Sequence, residues 1–144
     1  MLTVSKFMKA FFASILAFII FTAVYFFVFL ILGFVAYFLL KLPVIGTIID
    51  YLFFFRGDSP DIVLCLITAS ISYFVVMATQ EKLLKDTFTR GVSFIAFGGI
   101  LILLHVASLI LNLVYGNSIL QNVVFTISGA VFLFNGIGYI KETN

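Results

Sequence analysis

Gly91 to Tyr115 reads GVSFIAFGGILILLHVASLILNLVY: twenty-five residues whose only titratable side chains are His105 and the closing tyrosine. At 1.5 Å per residue a helix of this length spans ~37 Å, more than the ~30 Å of a bilayer's hydrocarbon. The run therefore predicts a transmembrane helix. Gly91, Gly98, His105 and Asn112 recur every seven residues along it, and Ser108 shares the face of His105. Small and polar groups at that spacing form a stripe that another helix can approach closely.

The rest of the chain has the same character. Of 144 residues, 64% are hydrophobic and only 10% are charged, and the mean hydropathy is +1.31. Soluble domains average ~25% charged residues, so this chain could not cover a water-facing surface. Its length suits one domain, residues 1–144, with no soluble domain attached. A net charge of +2, without a basic patch interleaved with aromatics, argues against a nucleic-acid partner. The single cysteine, Cys65, precludes an intrachain disulfide.

N-terminal to the quoted stretch, Lys6 and Lys9 precede an uncharged run from Ala10 to Leu40. A signal-peptide core is ~7–15 residues, so this run reads as an uncleaved span. As a helix it would be ~46 Å long and must tilt, bend near Gly33 or project. Ten phenylalanines between Phe7 and Phe38 point in all directions, the mark of a lipid-exposed or fully buried helix. Ala10, Ala13, Ser14 and Ala17 form its expected contact face. Pro43 and Gly46 then break the helix. Val44 to Phe55 is too short to cross and is expected in the interface or as a re-entrant piece, with Asp50 and Tyr51 at headgroup level. Arg56-Gly57-Asp58 matches an adhesion tripeptide, but a polar turn is the better reading of so short a match.

Ser59, Pro60 and Asp61 make a helix start signal, and a second span follows from residue 60 to about 79. Cys65, Thr68, Ser72 and Thr79 share one of its faces. Gln80 to Arg90 is the most charged stretch. Glu81–Lys85, Lys82–Asp86 and Asp86–Arg90 are opposite charges at i,i+4, which predicts a short helical extension. Beyond the third span, 91–115, Gly116-Asn117-Ser118 predicts a tight turn. The fourth span covers about 119–140 and carries two adjacent rows, Gln121/Ser128/Asn135 and Asn122/Gly129/Gly136.

The expected fold is thus an all-α membrane protein, a four-transmembrane-helix bundle with short loops. Lys6, Lys9, Lys82, Lys85, Arg90 and Lys141 fall on one side, against Lys41 and Arg56 on the other. By the positive-inside rule the first set is cytoplasmic, with both termini inside a cell (inner) membrane. If the last two spans are level about their turn, His105 lies beside Phe125 to Ser128, and Asn112 beside Gln121 and Asn122. Asn135 then faces Gly98 and Gly99. This predicts a polar seam of Thr68, Ser72, Gly98, His105, Asn112, Gln121, Ser128 and Asn135 between spans two, three and four, with the first span outside it.

No His, Cys, Asp and Glu cluster has metal-ligand spacing, and no catalytic residue or cofactor is implied. Two functions are open. One is a non-enzymatic subunit that forms a homo-oligomer in the lipid bilayer and anchors or signals to a cytoplasmic protein partner. Lys82, Leu83, Leu84, Lys85, Phe88 and Arg90 would dock the partner. Bacterial toxin-immunity and phage-defence proteins are often built this way, a likeness of class only. The other is a small ion channel or transporter with the seam as its path, since intramembrane ionisable residues tend to be functional.

Overall fold

The computed structural model describes residues 3–53, 62–116 and 119–143. They form five helices: α1 (Val4–Leu40), α2 (Pro43–Phe53), α3 (Ile62–Leu83), α4 (Thr87–Tyr115) and α5 (Leu120–Glu142). Among the described residues there is no strand. Helices α1, α3, α4 and α5 are each long and apolar enough to span a membrane. The chain is an all-α membrane bundle.

Helix α1 starts at Thr3, whose hydroxyl accepts from the Lys6 amide. Its 37 residues make ~55 Å of helix, nearly twice the hydrocarbon thickness. Its buried residues, Ala10, Ala13, Ser14, Ala17, Phe21 and Tyr25, trace a single stripe confined to the first two-thirds. Beyond Tyr25 no α1 residue is buried, and Phe26, Phe27, Phe34 and Phe38 stand in the open. Lys41 ends the helix and lies over the Tyr37 ring, 4.4 Å from its centroid. Helix α2 then turns back onto the end of α1. Its eleven residues, ~16 Å, are too few to cross. A side chain at Gly46 would run into the Leu40 backbone, so only glycine allows this return. The adhesion-like tripeptide, the Ser59-Pro60-Asp61 start signal and the Asp50 and Tyr51 side chains lie outside the described residues.

The four long helices close a ring: α1 packs along both α3 and α4, while α4 and α5 share the most extensive interface. α3 meets α5 only lightly. The first span, expected outside the polar seam, is a full member of the bundle and packs through its expected small face, Ala10, Ala13, Ser14 and Ala17. Lipid tails are as apolar as phenylalanine, so what joins helices in a bilayer is close packing. The alanine and serine stripe of α1 permits that, and its phenylalanines elsewhere can face lipid. Phe21, fully buried, is the hub of the core. Its ring meets Phe97, Phe125 and Phe132 edge-on, with centroids 5.9, 5.4 and 6.0 Å away. Such geometry suits the quadrupoles of the rings.

Candidate functional site

The α4–α5 hairpin is built from two small-residue rows in one antiparallel register. A Cβ on Gly98 would stand 2.5 Å from the Gly129 carbonyl oxygen, and one on Gly136 would stand 2.7 Å from that of Gly91. One further heptad along, His105 Nδ1 lies 3.2 Å from Asn122 Oδ1, and its ring stacks on Phe125 at 4.4 Å. The rows Gly91/Gly98/His105 and Asn122/Gly129/Gly136 thus pair step for step. For Asn112 and Asn135 this register is about one heptad away from the expected one, although His105 does meet Phe125 as expected. Tyr115 lies ten residues beyond His105, and Leu120 only two before Asn122, so α4 overhangs the start of α5 by about eight residues, ~12 Å. Close glycine contacts set the level of the two helices, and Asn117 and Ser118 lie outside the described residues. Consistently, no α4 residue beyond Leu101 is buried.

The residues expected to share a seam occupy separate interfaces. Thr68 and Ser72 are fully buried, but each hydroxyl donates to its own helix, at the Leu64 and Thr68 carbonyls. Gly98 is a contact point, and His105 belongs to the Asn122 pair. Asn112 is half-buried in the overhang, and Gln121 is exposed. Ser128 donates to Val124 and lines a shallow α3–α5 groove of ~250 Å³. Asn135 donates to the Tyr73 hydroxyl across that same junction. Three helix pairs thus hold the polar groups, and no single row connects them.

A polar node that the sequence reading missed sits near the opposite end. Gln80 is fully buried, although it opens the most charged stretch of the chain. Its Nε2 donates to the Ala13 carbonyl of α1 at 2.7 Å, and its Oε1 accepts from Ser93 of α4 at 3.2 Å. One side chain thereby ties three helices. The available signal was the four-residue stride Thr68, Ser72, Val76, Gln80, which is the truly buried row; Thr79 lies off it.

The charged stretch is mostly helix. α3 runs to Leu83 and α4 begins at Thr87, leaving a three-residue connector. The expected i,i+4 pairs give way to other partners. Asp86 caps α4, accepting from the amide and hydroxyl of Thr89, and pairs with Lys6 Nζ at 3.2 Å. These interactions, the Thr89 hydroxyl foremost, hold its carboxyl below the usual range. Arg90 sends Nε and Nη2 to the Leu84 carbonyl, at 3.1 and 3.0 Å, capping the end of α3. It also lies 3.9 Å from Glu81 and 5.3 Å from the Tyr139 ring centroid. Of the expected docking residues, Lys82, Leu83 and Lys85 are exposed, Phe88 and Arg90 are half-buried, and Leu84 is buried. Leu84 and Arg90 thus hold the connector together and are not free surface. Beside them runs a wider groove of ~520 Å³ between α1 and the end of α3.

Among the described residues no group of three or more His, Cys, Asp or Glu could hold a metal ion. No protein-family model, curated protein or solved structure matches the chain. What fold and geometry define is a class: a multi-pass helical membrane protein whose described basic residues, Lys41 apart, collect at one end.

Proposed function

We propose that the protein is a non-enzymatic membrane subunit that assembles in the bilayer and anchors or signals to a protein partner at its basic end. The observation that carries this reading is how polar groups are spent. Inside the spans, hydroxyls such as those of Thr68 and Ser72 bond their own backbone, and other polar groups pair between helices, as in His105–Asn122, Asn135–Tyr73 and Gln80–Ser93. Interhelical bonds of this kind are worth ~0.6–2 kcal/mol and serve packing. Open charge gathers instead where α1 begins, α3 meets α4 and α5 ends, around Lys9, Lys82, Lys85 and Lys141. By lysine and arginine bias that end is cytoplasmic.

The test combines two measurements. Purified protein in liposomes is assayed for proton and potassium flux, and cells are crosslinked for recovery of a bound protein. In the variant Lys82→Ser/Leu83→Ser/Lys85→Ser, which spares buried Leu84, recovery should fall with membrane abundance unchanged. Flux above protein-free liposomes, with recovery intact in the variant, would replace this reading with a channel or transporter. Native mass spectrometry from mild detergent should show oligomers; monomer at every concentration would count against assembly.

A further inference from the structure

The groove between the first turns of α1 and the end of α3 differs from the rest of the membrane-facing surface. It is lined by Met8, Phe12, Leu16, Leu83 and Leu84, with Ala13 as its floor and Ser5 and Lys9 at its mouth. Ser5 and Lys9 are one helical turn apart, on one face of α1, so hydroxyl and ammonium open to the same side. Of the other cations nearby, Lys6 is engaged with Asp86, and Arg90 with the Leu84 carbonyl and Glu81, while Lys82 stands exposed beside the groove and is not among its lining residues. Lys9 and Ser5 are paired with no described residue. From Ser5 to Leu16 the groove descends eleven residues, ~16 Å along the helix. Polar groups stand at its outer end and apolar groups deeper.

We propose that this groove is a discrete binding site for one anionic phospholipid. The phosphate sits at Lys9 Nζ and the Ser5 hydroxyl. One acyl chain lies along Met8, Phe12 and Leu16 against Leu83 and Leu84. The order of groups along the groove matches that of a lipid, charge outside and hydrocarbon inside. Basic recesses between transmembrane helices are suited to acidic headgroups. A lysine at this depth buries its stem and sends its ammonium outward. A second copy of this chain is the poorer occupant. A two-fold contact through the same patch would set Lys9 against Lys9, or against the neighbouring Lys82, with no carboxylate in the groove to offset them. This inference is separate from the partner reading and does not rest on it, but Leu83 belongs to both surfaces, so a docked protein would compete with the lipid there.

The experiment is native mass spectrometry of the full chain from mild detergent, titrated with phosphatidylglycerol or phosphatidylcholine. The wild type should retain one phosphatidylglycerol per chain. Lys9→Gln should weaken retention about fivefold. Lys141→Gln, at the same end but outside the groove, should leave it unchanged. Leu16→Trp, at a half-exposed groove position, should fill the acyl path and remove the same lipid while Lys9 remains. Inorganic phosphate should not displace the lipid, because it lacks the chain. Three results would overturn the proposal: equal losses from Lys9→Gln and Lys141→Gln, which describe a diffuse basic surface; equal retention of phosphatidylcholine; or displacement by inorganic phosphate.

Discussion

Gly98 and Gly99 are sequence neighbours with opposite roles. A Cβ on Gly98 would press on backbone atoms of Gly129 and Leu133, whereas one on Gly99 meets nothing within 4 Å. Backbone cannot swing aside as a side chain can. Gly98→Ala should therefore destabilise the hairpin by ~1–3 kcal/mol. Gly99→Ala should be neutral, or stabilise by up to ~1 kcal/mol through helix propensity. Thermal unfolding in detergent checks both, and equal effects would contradict the register. Gln80 offers a second residue test. Gln80→Met keeps the volume but strips the bonds to Ala13 and Ser93, and should cost ~0.6–2 kcal/mol. Thr79→Val, off the buried row, should cost less.

At the level of elements, the α3–α4 connector is a clasp. Asp86 caps one helix and reaches Lys6 of another, while Arg90 caps the preceding one. The folded state holds the Asp86 carboxyl below its ordinary value, ~4. The stabilisation is then present above that value and is lost as pH falls through the lowered one. The melting temperature should drop across that acidic window. Asp86→Asn should be less stable at neutral pH and should flatten the acid limb, because asparagine can still cap but cannot titrate. An unchanged acid limb in the variant would assign the pH dependence elsewhere.

For the whole molecule, the decisive feature is how unevenly the charges of the described residues are distributed between its ends. The Lys6–Asp86 contact and the placement of Arg90 over Tyr139 bring the start of α1, the connector and the end of α5 together. Lys41 marks the far end of α1. Topology reporters fused after residue 144 and inserted within residues 56–59 should report opposite sides of the membrane, with the C-terminal one cytoplasmic. The same side for both would sink the topology. The overhang has a consequence at this scale too. α1 and α4 are the longest helices, and both continue past the buried core toward the end opposite the basic one. A bilayer of ~30 Å must be met by tilt or by projecting ends.

The number of spans and the contact stripe of α1 could be read from residues alone, because both depend on local properties. An apolar run either outlasts the bilayer or does not. Ala10, Ala13, Ser14 and Ala17 are small wherever they are placed. The same holds for two of the heptad rows, Gly91/Gly98/His105 on α4 and Asn122/Gly129/Gly136 on α5, whose residues do meet. Their relative level could not be read, because a turn limits only how far apart two helix ends lie, whereas glycine-to-glycine contact selects one register among several. Asp86 and Arg90 were misread for a similar reason: i,i+4 spacing is a property of one helix, and the chain breaks between Leu83 and Thr87, handing both charges to helix ends and to other helices. Gln80 looked like surface because it begins a charged stretch, yet α1 and α4 close over it. The location of the polar groups along the chain is a sequence property; their dispersal over separate helix pairs, and the groove beside Lys9, arise only when the helices pack, since each is made by residues of different helices whose backbones approach closely enough to touch.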